Sequence, residues 1–176
     1  DIETAIFDQG FDTDIGAFIQ AFGEPALDAT TLLIPRVGLL PATDSRMAST
    51  IDRLQKDLTE RGLVYRYRAA DGLSGTEGTF ATCSFWLVDA LALAGRLEGA
   101  HALFERVCGY ENDVGLLAEE IDPDGEEMLG NFPQGFSHMA LINSALTLAK
   151  ATKHGPEREP ETPLERSLKA AGAVTR

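Results

Sequence analysis

Apolar residues follow two helical patterns along the chain. In residues 44–61 and 97–108 they recur at spacings of three and four, which predicts helices with one solvent-facing side. Residues 79–94 and 136–151 are apolar on almost every side, which predicts helices that are largely buried. The chain therefore contains both surface helices and core helices.

Two further helices complete an alternating series. Residues 1–9 form a short helix, and Asp28 caps a second one that extends to about Val37. Asp44 or Ser45 begins the amphipathic helix that ends near Arg61. Outer and inner helices thus alternate, which predicts an all-α fold of three αα-hairpins.

The links between these helices have two very different lengths. The links 38–43 and 95–96 are short, whereas 10–27, 62–78 and 109–135 are long. In an up-down array the three long links lie at the same end of the molecule, and loops longer than about 12–15 residues are usually functional. We therefore expect the site on that face.

The composition bounds the class of protein. Residues 1–153 fit one compact domain, and the Pro- and charge-rich segment 154–176 predicts a polar, partly disordered tail. The net charge of −13 argues against nucleic acid and anionic membranes as partners, because both select basic surfaces. No apolar run is long enough to span a bilayer.

The cysteines and the N-terminal residues indicate a compartment. The two cysteines, Cys83 and Cys108, lie in apolar helical stretches without a partner at metal-ligand or C-x-x-C spacing, which favours buried, reduced thiols. Residues 1–10 lack the basic and then apolar layout of a signal peptide. Both features predict a cytoplasmic protein.

The third long link contains the strongest candidate for acid–base chemistry. An acidic pair, Glu119–Glu120, follows an apolar anchor at 114–117, and a carboxylate beside such an anchor can have a pKa suited to proton transfer. The alternative is a solvated acidic loop.

The same link also contains a pattern that resembles a calcium loop. Asp122, Asp124 and Glu126 alternate like calcium ligands, but the glycine and terminal glutamate of an EF-hand are not in place.

Other polar and aromatic residues could bind a sugar. Arg66 stands between Tyr65 and Tyr67, and aromatic faces with a forked guanidinium suit hydroxylated rings, although surface packing is the alternative. Trp86 and His138 lie within apolar helices, where core roles are the alternative. No second histidine stands at ligand spacing from His138, so we predict no metal and no cofactor.

Longer segments resemble a known family. The succession LDATTLLIP, RY…DGL…GTEGTF…CSFWLVDAL, NDVGLLAEE and GNFPQGFSHMALI resembles the C-terminal half of glycoside hydrolase family 15, in its bacterial branch of glucoamylase-, glucodextranase- and trehalase-type members. The resemblance covers residues 3–152. It implies about half of an (α/α)6 barrel, an αα-hairpin toroid whose inner helices would show an exposed seam.

The resemblance also implies a chemistry. Family members hydrolyse α-linked glucosyl saccharides with inversion, using one glutamic acid as general acid and one glutamate as general base. The family's base motif maps onto residues 117–120 and so onto Glu119, with Glu120 as its rival. The family's substrate pocket maps onto a second group of residues: Arg66, Tyr67, Glu77 and Trp86.

One part of the family pattern is missing. The Trp-Glu segment with the general acid has no match here, because Leu87 follows the only tryptophan, Trp86. We therefore expect a fragment or truncated product with a base and no acid, nearly inactive by itself. The alternative is a non-catalytic half barrel that acts in binding or interaction. A homodimer or the missing N-terminal half would cover its seam.

Overall fold

The computed structural model describes residues 2–68 and 77–155. Their helices are five α-helices and one 3-10 helix, at α1 Ile2–Gln9, 3-10 Ala29–Leu33, α2 Ser45–Asp57, α3 Ala81–Leu93, α4 Leu97–Cys108 and α5 Gly135–His154. Of the predicted tail 154–176, residues 156–176 lie outside the described residues. None of the described helices combines the length and apolar character needed to cross a bilayer.

Most predicted helices are confirmed, and their ends have local causes. The Asp44 carboxylate accepts the Arg46 N–H at 2.9 Å, so α2 begins at Ser45. The side chain of Gln134 accepts the Phe136 N–H at 3.3 Å and caps α5. Side chains that satisfy free N–H groups thus fix both helix starts.

The predicted helix 28–37 is wrong in type and length. Asp28 does cap a helix, since its carboxylate accepts the Thr30 N–H at 2.7 Å. The helix is nevertheless a 3-10 helix of five residues, closed by a bond from the Ile34 N–H to the Thr31 oxygen. Pro35 has no N–H to continue an α-helix, which gives this segment a physical reason to stop.

The predicted end of the second outer helix, Arg61, is also wrong. α2 ends at Asp57, and a hairpin follows with strands Thr59–Glu60 and Leu63–Val64. Arg61 and Gly62 form its two-residue loop and both have positive φ, at 49° and 84°. Such a loop suits a type I′ turn, which matches the twist of the paired strands.

Short strands, which the all-helical prediction omitted, organise the long links. They are β1 Phe11–Asp12, β2 Ala17–Phe18, β3 Thr59–Glu60, β4 Leu63–Val64, β5 Thr79–Phe80, β6 Glu120–Ile121 and β7 Met128–Leu129. β5, β6 and β7 form an antiparallel sheet in that order. The sheet connects the end of the second long link and the N-terminus of α3 with the third long link.

α3 lies at the centre of the fold. Ten of its thirteen residues are buried, and it packs against the 3-10 helix, α4 and α5. α5 packs on α3. Its buried residues include Ser137, Ala140 and Ser144, and its Ser144 hydroxyl donates to the Phe85 oxygen of the central helix at 2.9 Å. Its opposite face exposes large apolar side chains, Phe136, Met139, Ile142 and Leu146. The half toroid therefore has the apolar seam that was expected.

Candidate active site

A cavity of about 480 Å³ opens where two long links meet α3 and α5. Three predicted site residues, Arg66, Trp86 and Glu119, line it together. They come from the second long link, from α3 and from the third long link. The first long link, 10–27, contributes none of the residues that line this cavity. Two of the three long links that were expected on one face therefore meet at this cavity.

Glu119 is fixed by its backbone and by its side chain. Its N–H donates to the Asn131 oxygen at 3.0 Å, and its carbonyl oxygen accepts the Ala81 N–H at 3.0 Å. Its Oε2 accepts the Asn131 side-chain amide at 2.8 Å and the Asn131 backbone N–H at 3.2 Å. Because charge-assisted bonds are the stronger ones, Asn131 is well placed to orient this carboxylate.

Gly130 makes room for that arrangement. It has a φ of +72°, and a Cβ at this position would lie 3.0 Å from Oε2 and 3.1 Å from Cβ of Glu119. Any other residue would therefore be strained and would crowd the carboxylate. The Gly-Asn pair at 130–131 is a close-fitting support for Glu119.

The rival carboxylate, Glu120, is not among the residues that line the cavity. Its Oε2 accepts the Gly78 N–H at 2.9 Å beside the three-stranded sheet. Burial raises the pKa of Glu120, and the bond from Gly78 partly opposes that rise. Glu119 precedes β6, and the carboxylates of the two glutamates accept from different partners, Asn131 for Glu119 and Gly78 for Glu120. Which of them acts as base stays a prediction.

Arg66 has a buried partner that the sequence reasoning treated only as a helix cap. The Arg66 Nε lies 3.9 Å from Oδ2 of Asp28, whose side chain is buried. The Arg66 carbonyl oxygen accepts the Ala29 N–H at 2.8 Å. Asp28 thus both caps the 3-10 helix and faces the cavity arginine. In the sequence, the indication of this second role was that Asp28 directly follows the first long link, 10–27.

Tyr67 and Glu77 are not among the lining residues. The centroid of the Tyr67 ring lies 5.9 Å from the Arg66 guanidinium carbon, so Tyr67 neighbours a lining residue without lining the cavity itself. Glu77 is exposed near Glu120, and its charge contributes to the raised pKa of the Glu120 carboxyl. Their roles in substrate binding stay predictions.

α5 supplies lining residues that the sequence analysis did not single out. They are Gln134 at its cap and then Phe136, Ser137, Met139, Ala140 and Asn143. Their spacing of three and four on a predicted inner helix was the available signal. On a helix that is apolar all round, that spacing did not show which side meets a cavity.

Both cysteines are free, and one of them is part of the cavity wall. Cys83 is fully buried there, and burial raises the pKa of its thiol far above the usual range, so the thiol is protonated. Cys108 is partly buried. Among residues 2–68 and 77–155, no three His, Cys, Asp or Glu side chains are grouped to hold a metal ion.

Comparison with known proteins identifies this arrangement. A solved structure of a wild-type glycosidase superposes with a TM-score of 0.72 at 25% identity, over 84% of this chain and 42% of the glycosidase. The fold is therefore that of the six-hairpin glycosidases, of which the chain forms about half. The model of the glycosyl hydrolases family 15 matches residues 1–146, and the chain belongs to that family.

Similar sequences are found among trehalases. The chain is 45% identical over 154 residues to a trehalase of Mycobacterium tuberculosis, which covers 86% of this chain and 22% of that protein. It is 40% identical over 152 residues to a trehalase of Thermoplasma volcanium, covering 86% of this chain and 24% of the relative. The chain thus spans about a quarter or less of the length of these relatives.

Proposed function

We propose that the chain is the part of an inverting α-glucoside hydrolase that carries the general base, Glu119. The observation that carries this proposal is the position of the Glu119 carboxylate. Asn131 orients it in a cavity that it shares with Arg66 and Trp86. A fixed carboxylate can accept a proton from water, while a guanidinium and an indole hold a sugar beside it.

The reaction needs a second carboxyl group. In an inverting glycosidase a general acid protonates the leaving oxygen, about 6.5–9.5 Å from the base, with the attacking water between base and sugar. No segment of this chain matches the family's acid motif. We propose that the acid comes from another part of the barrel, so the isolated chain releases little or no glucose.

Trehalose is the first substrate to test, because three relatives at 40% identity or more are named trehalases. Maltooligosaccharides and dextran-type saccharides are the alternatives within the same class of α-linked glucosyl compounds. The cavity residues would contact one glucosyl unit of such a substrate, and outer subsites would distinguish the three. All three should be assayed side by side.

A chimera tests the base. The aligned segment of this chain replaces the matching segment of the M. tuberculosis trehalase, and glucose release from trehalose is measured. Glu119→Gln should lower kcat by about 10²–10⁴-fold, since the amide cannot accept the proton. Glu120→Gln is the matched control and should retain most activity. Full activity after Glu119→Gln, or its loss in the control, would contradict the assignment.

The isolated chain provides a second test. It should release no glucose from trehalose or maltose above the rate of the Glu119→Gln variant. Robust turnover by the chain alone, abolished by that substitution, would show that it contains a complete mechanism. The proposal of a base without its acid would then be wrong.

The exposed face of α5 favours one alternative function. Phe136, Met139, Ile142 and Leu146 are exposed apolar side chains on α5, and Phe136 and Met139 also line the cavity. Such a surface suits an interaction, and two copies could cover it across a two-fold axis. In that case the chain is a non-catalytic binding or interaction protein. Analytical ultracentrifugation would then show a dimer that Ile142→Lys dissociates, together with an inactive chimera.

A further inference from the structure

The imidazole of His138 connects the start of α5 to the segment that precedes Glu119. The Leu117 N–H donates to its Nε2 at 3.3 Å, and its Nδ1 lies 2.7 Å from the Gln134 carbonyl oxygen. A backbone N–H can only donate and a carbonyl oxygen can only accept. The neutral ring must therefore carry its hydrogen on Nδ1 and accept at Nε2.

This bridge belongs to a set of bonds that fastens residues 117–119 to residues 131–138. The Gln134 N–H donates to the Leu117 oxygen at 2.9 Å, and the Ser137 hydroxyl donates to the Ala118 oxygen at 2.8 Å. The Glu119 N–H donates to the Asn131 oxygen at 3.0 Å. Leu117 and Ala118 are also buried. His138 thus acts on the backbone two residues before the candidate base.

His138 is not among the residues that line the cavity, so its effect on a substrate is indirect. We propose that His138 is a positioning residue, whose Nδ1–H tautomer holds Leu117 and thereby presents the Glu119 carboxylate to the cavity. The part of this inference that concerns catalysis rests on the proposed function. The hydrogen-bonded bridge itself does not.

The tautomer can be measured on the unaltered 176-residue chain. Imidazole ¹⁵N chemical shifts in the neutral range distinguish Nδ1–H from Nε2–H, the form usually preferred by a free histidine. The chain has three histidines, and His101→Gln and His154→Gln variants assign the remaining signal to His138. We expect the Nδ1–H form. An Nε2–H form for His138 would overturn the proposal.

Hydrogen exchange at the Leu117 amide tests whether the His138 imidazole holds this part of the backbone in place. His138→Phe keeps a ring but loses both bonds, so the Leu117 amide should exchange about tenfold faster or more. His138→Gln restores a carbonyl-type acceptor and should recover part of the protection. His101→Phe, at an exposed histidine on α4, is the matched control and should leave Leu117 unchanged. Unchanged Leu117 exchange in His138→Phe would refute the bridge.

Activity separates this inference from the assignment of the base. In the trehalase chimera, His138→Phe should lower kcat on the order of 10²-fold through misplacement of Glu119, with KM little changed and partial recovery in His138→Gln. If Glu119→Gln leaves the chimera active, the base is wrong while the bridge stands on the exchange data. If Glu119→Gln inactivates it but His138→Phe leaves kcat unchanged, the positioning role is wrong.

Discussion

α3 and α5 are both apolar in sequence, yet most residues of α3 are buried and most residues of α5 are not. Ten of the thirteen residues of α3 are buried, against five of the twenty in α5. Phe85 in α3 is 0% exposed, whereas Phe136 in α5 is 66% exposed. An apolar pattern therefore indicates a helix that needs partners on several sides. It does not show that the chain itself supplies them.

The two faces of α5 explain the difference. The buried residues of α5 include small ones, Ser137, Ala140 and Ser144, and the Ser144 hydroxyl donates to the Phe85 oxygen in α3. The large ones, including Met139 and Leu146, lie on the open side. Burying a large apolar side chain stabilises by about 1.5–3 kcal/mol, so this side is suited to a partner surface. α3 has such surfaces from the 3-10 helix, α4 and α5.

Replacing one phenylalanine in each helix should give the largest contrast. Phe85→Ala removes a buried ring that packs 5.8 Å from the Phe104 ring, and should lower the free energy of unfolding by about 3–5 kcal/mol. Phe136→Ala should change it by no more than about 0.5 kcal/mol. Urea unfolding of both variants measures the difference. Equal losses would show that α5 is covered in solution.

The single charged residue of α3, Asp89, gives a smaller effect. Its buried carboxylate forms an ion pair with Arg36, whose side chain is 35% exposed. Arg36→Ala leaves that charge without its cation and should cost about 1–3 kcal/mol, because the exposed arginine is screened by solvent. Arg68→Ala, which breaks the exposed pair with Glu60, is the control and should cost under about 1 kcal/mol. Similar losses would contradict a special role for Asp89.

Asp89 should also make the stability depend on pH. Burial raises the pKa of its carboxyl above the ordinary value, and Ser144 and Arg36 only partly oppose that rise. The folded state then holds the proton more tightly than the unfolded state. The contribution to unfolding free energy is therefore largest at low pH and falls as pH rises above about 4, through the folded-state pKa. Asp89→Asn should remove this slope in urea unfolding across that range. An unchanged slope would exclude Asp89 as its source.

The smallest effect is expected on the open face of α5. Leu146→Ser in the dilute chain should change the free energy of unfolding by no more than about 0.5 kcal/mol, because the side chain is already exposed. When a second copy or the rest of a barrel covers this face, the same substitution should weaken the assembly measurably. Ultracentrifugation and unfolding across a range of protein concentrations distinguish the two situations. A large loss in the monomeric chain would mean that α5 packs differently.

The candidate site was partly predictable, because some of its residues carry local signals. Arg66 and Glu119 lie in the long links between the predicted helices, and both line the cavity. The separation of Glu119 from Glu120 depends on the pairing of β6 between β5 and β7, which brings Glu120 to Gly78. The contact of Asp28 with Arg66 joins residues 38 positions apart. Such contacts depend on tertiary packing rather than on local spacing.

The sequence by itself determined where five of the six helices lie, because periodicity and caps act within one or two turns, but not the 3-10 type of Ala29–Leu33 or the end of α2. The start of α2 follows from Asp44, and the long links follow from the gaps between helices. The Gln134 cap of α5 was seen only in the structure. Only the tertiary structure decided the rest. Two-residue strands are too short to show the alternation of apolar and polar residues that marks a strand. A short 3-10 helix has the same cap and the same apolar spacing in sequence as the first turns of an α-helix. Which face of an apolar helix is buried depends on the surfaces packed against it, and for α5 one of those faces stays open.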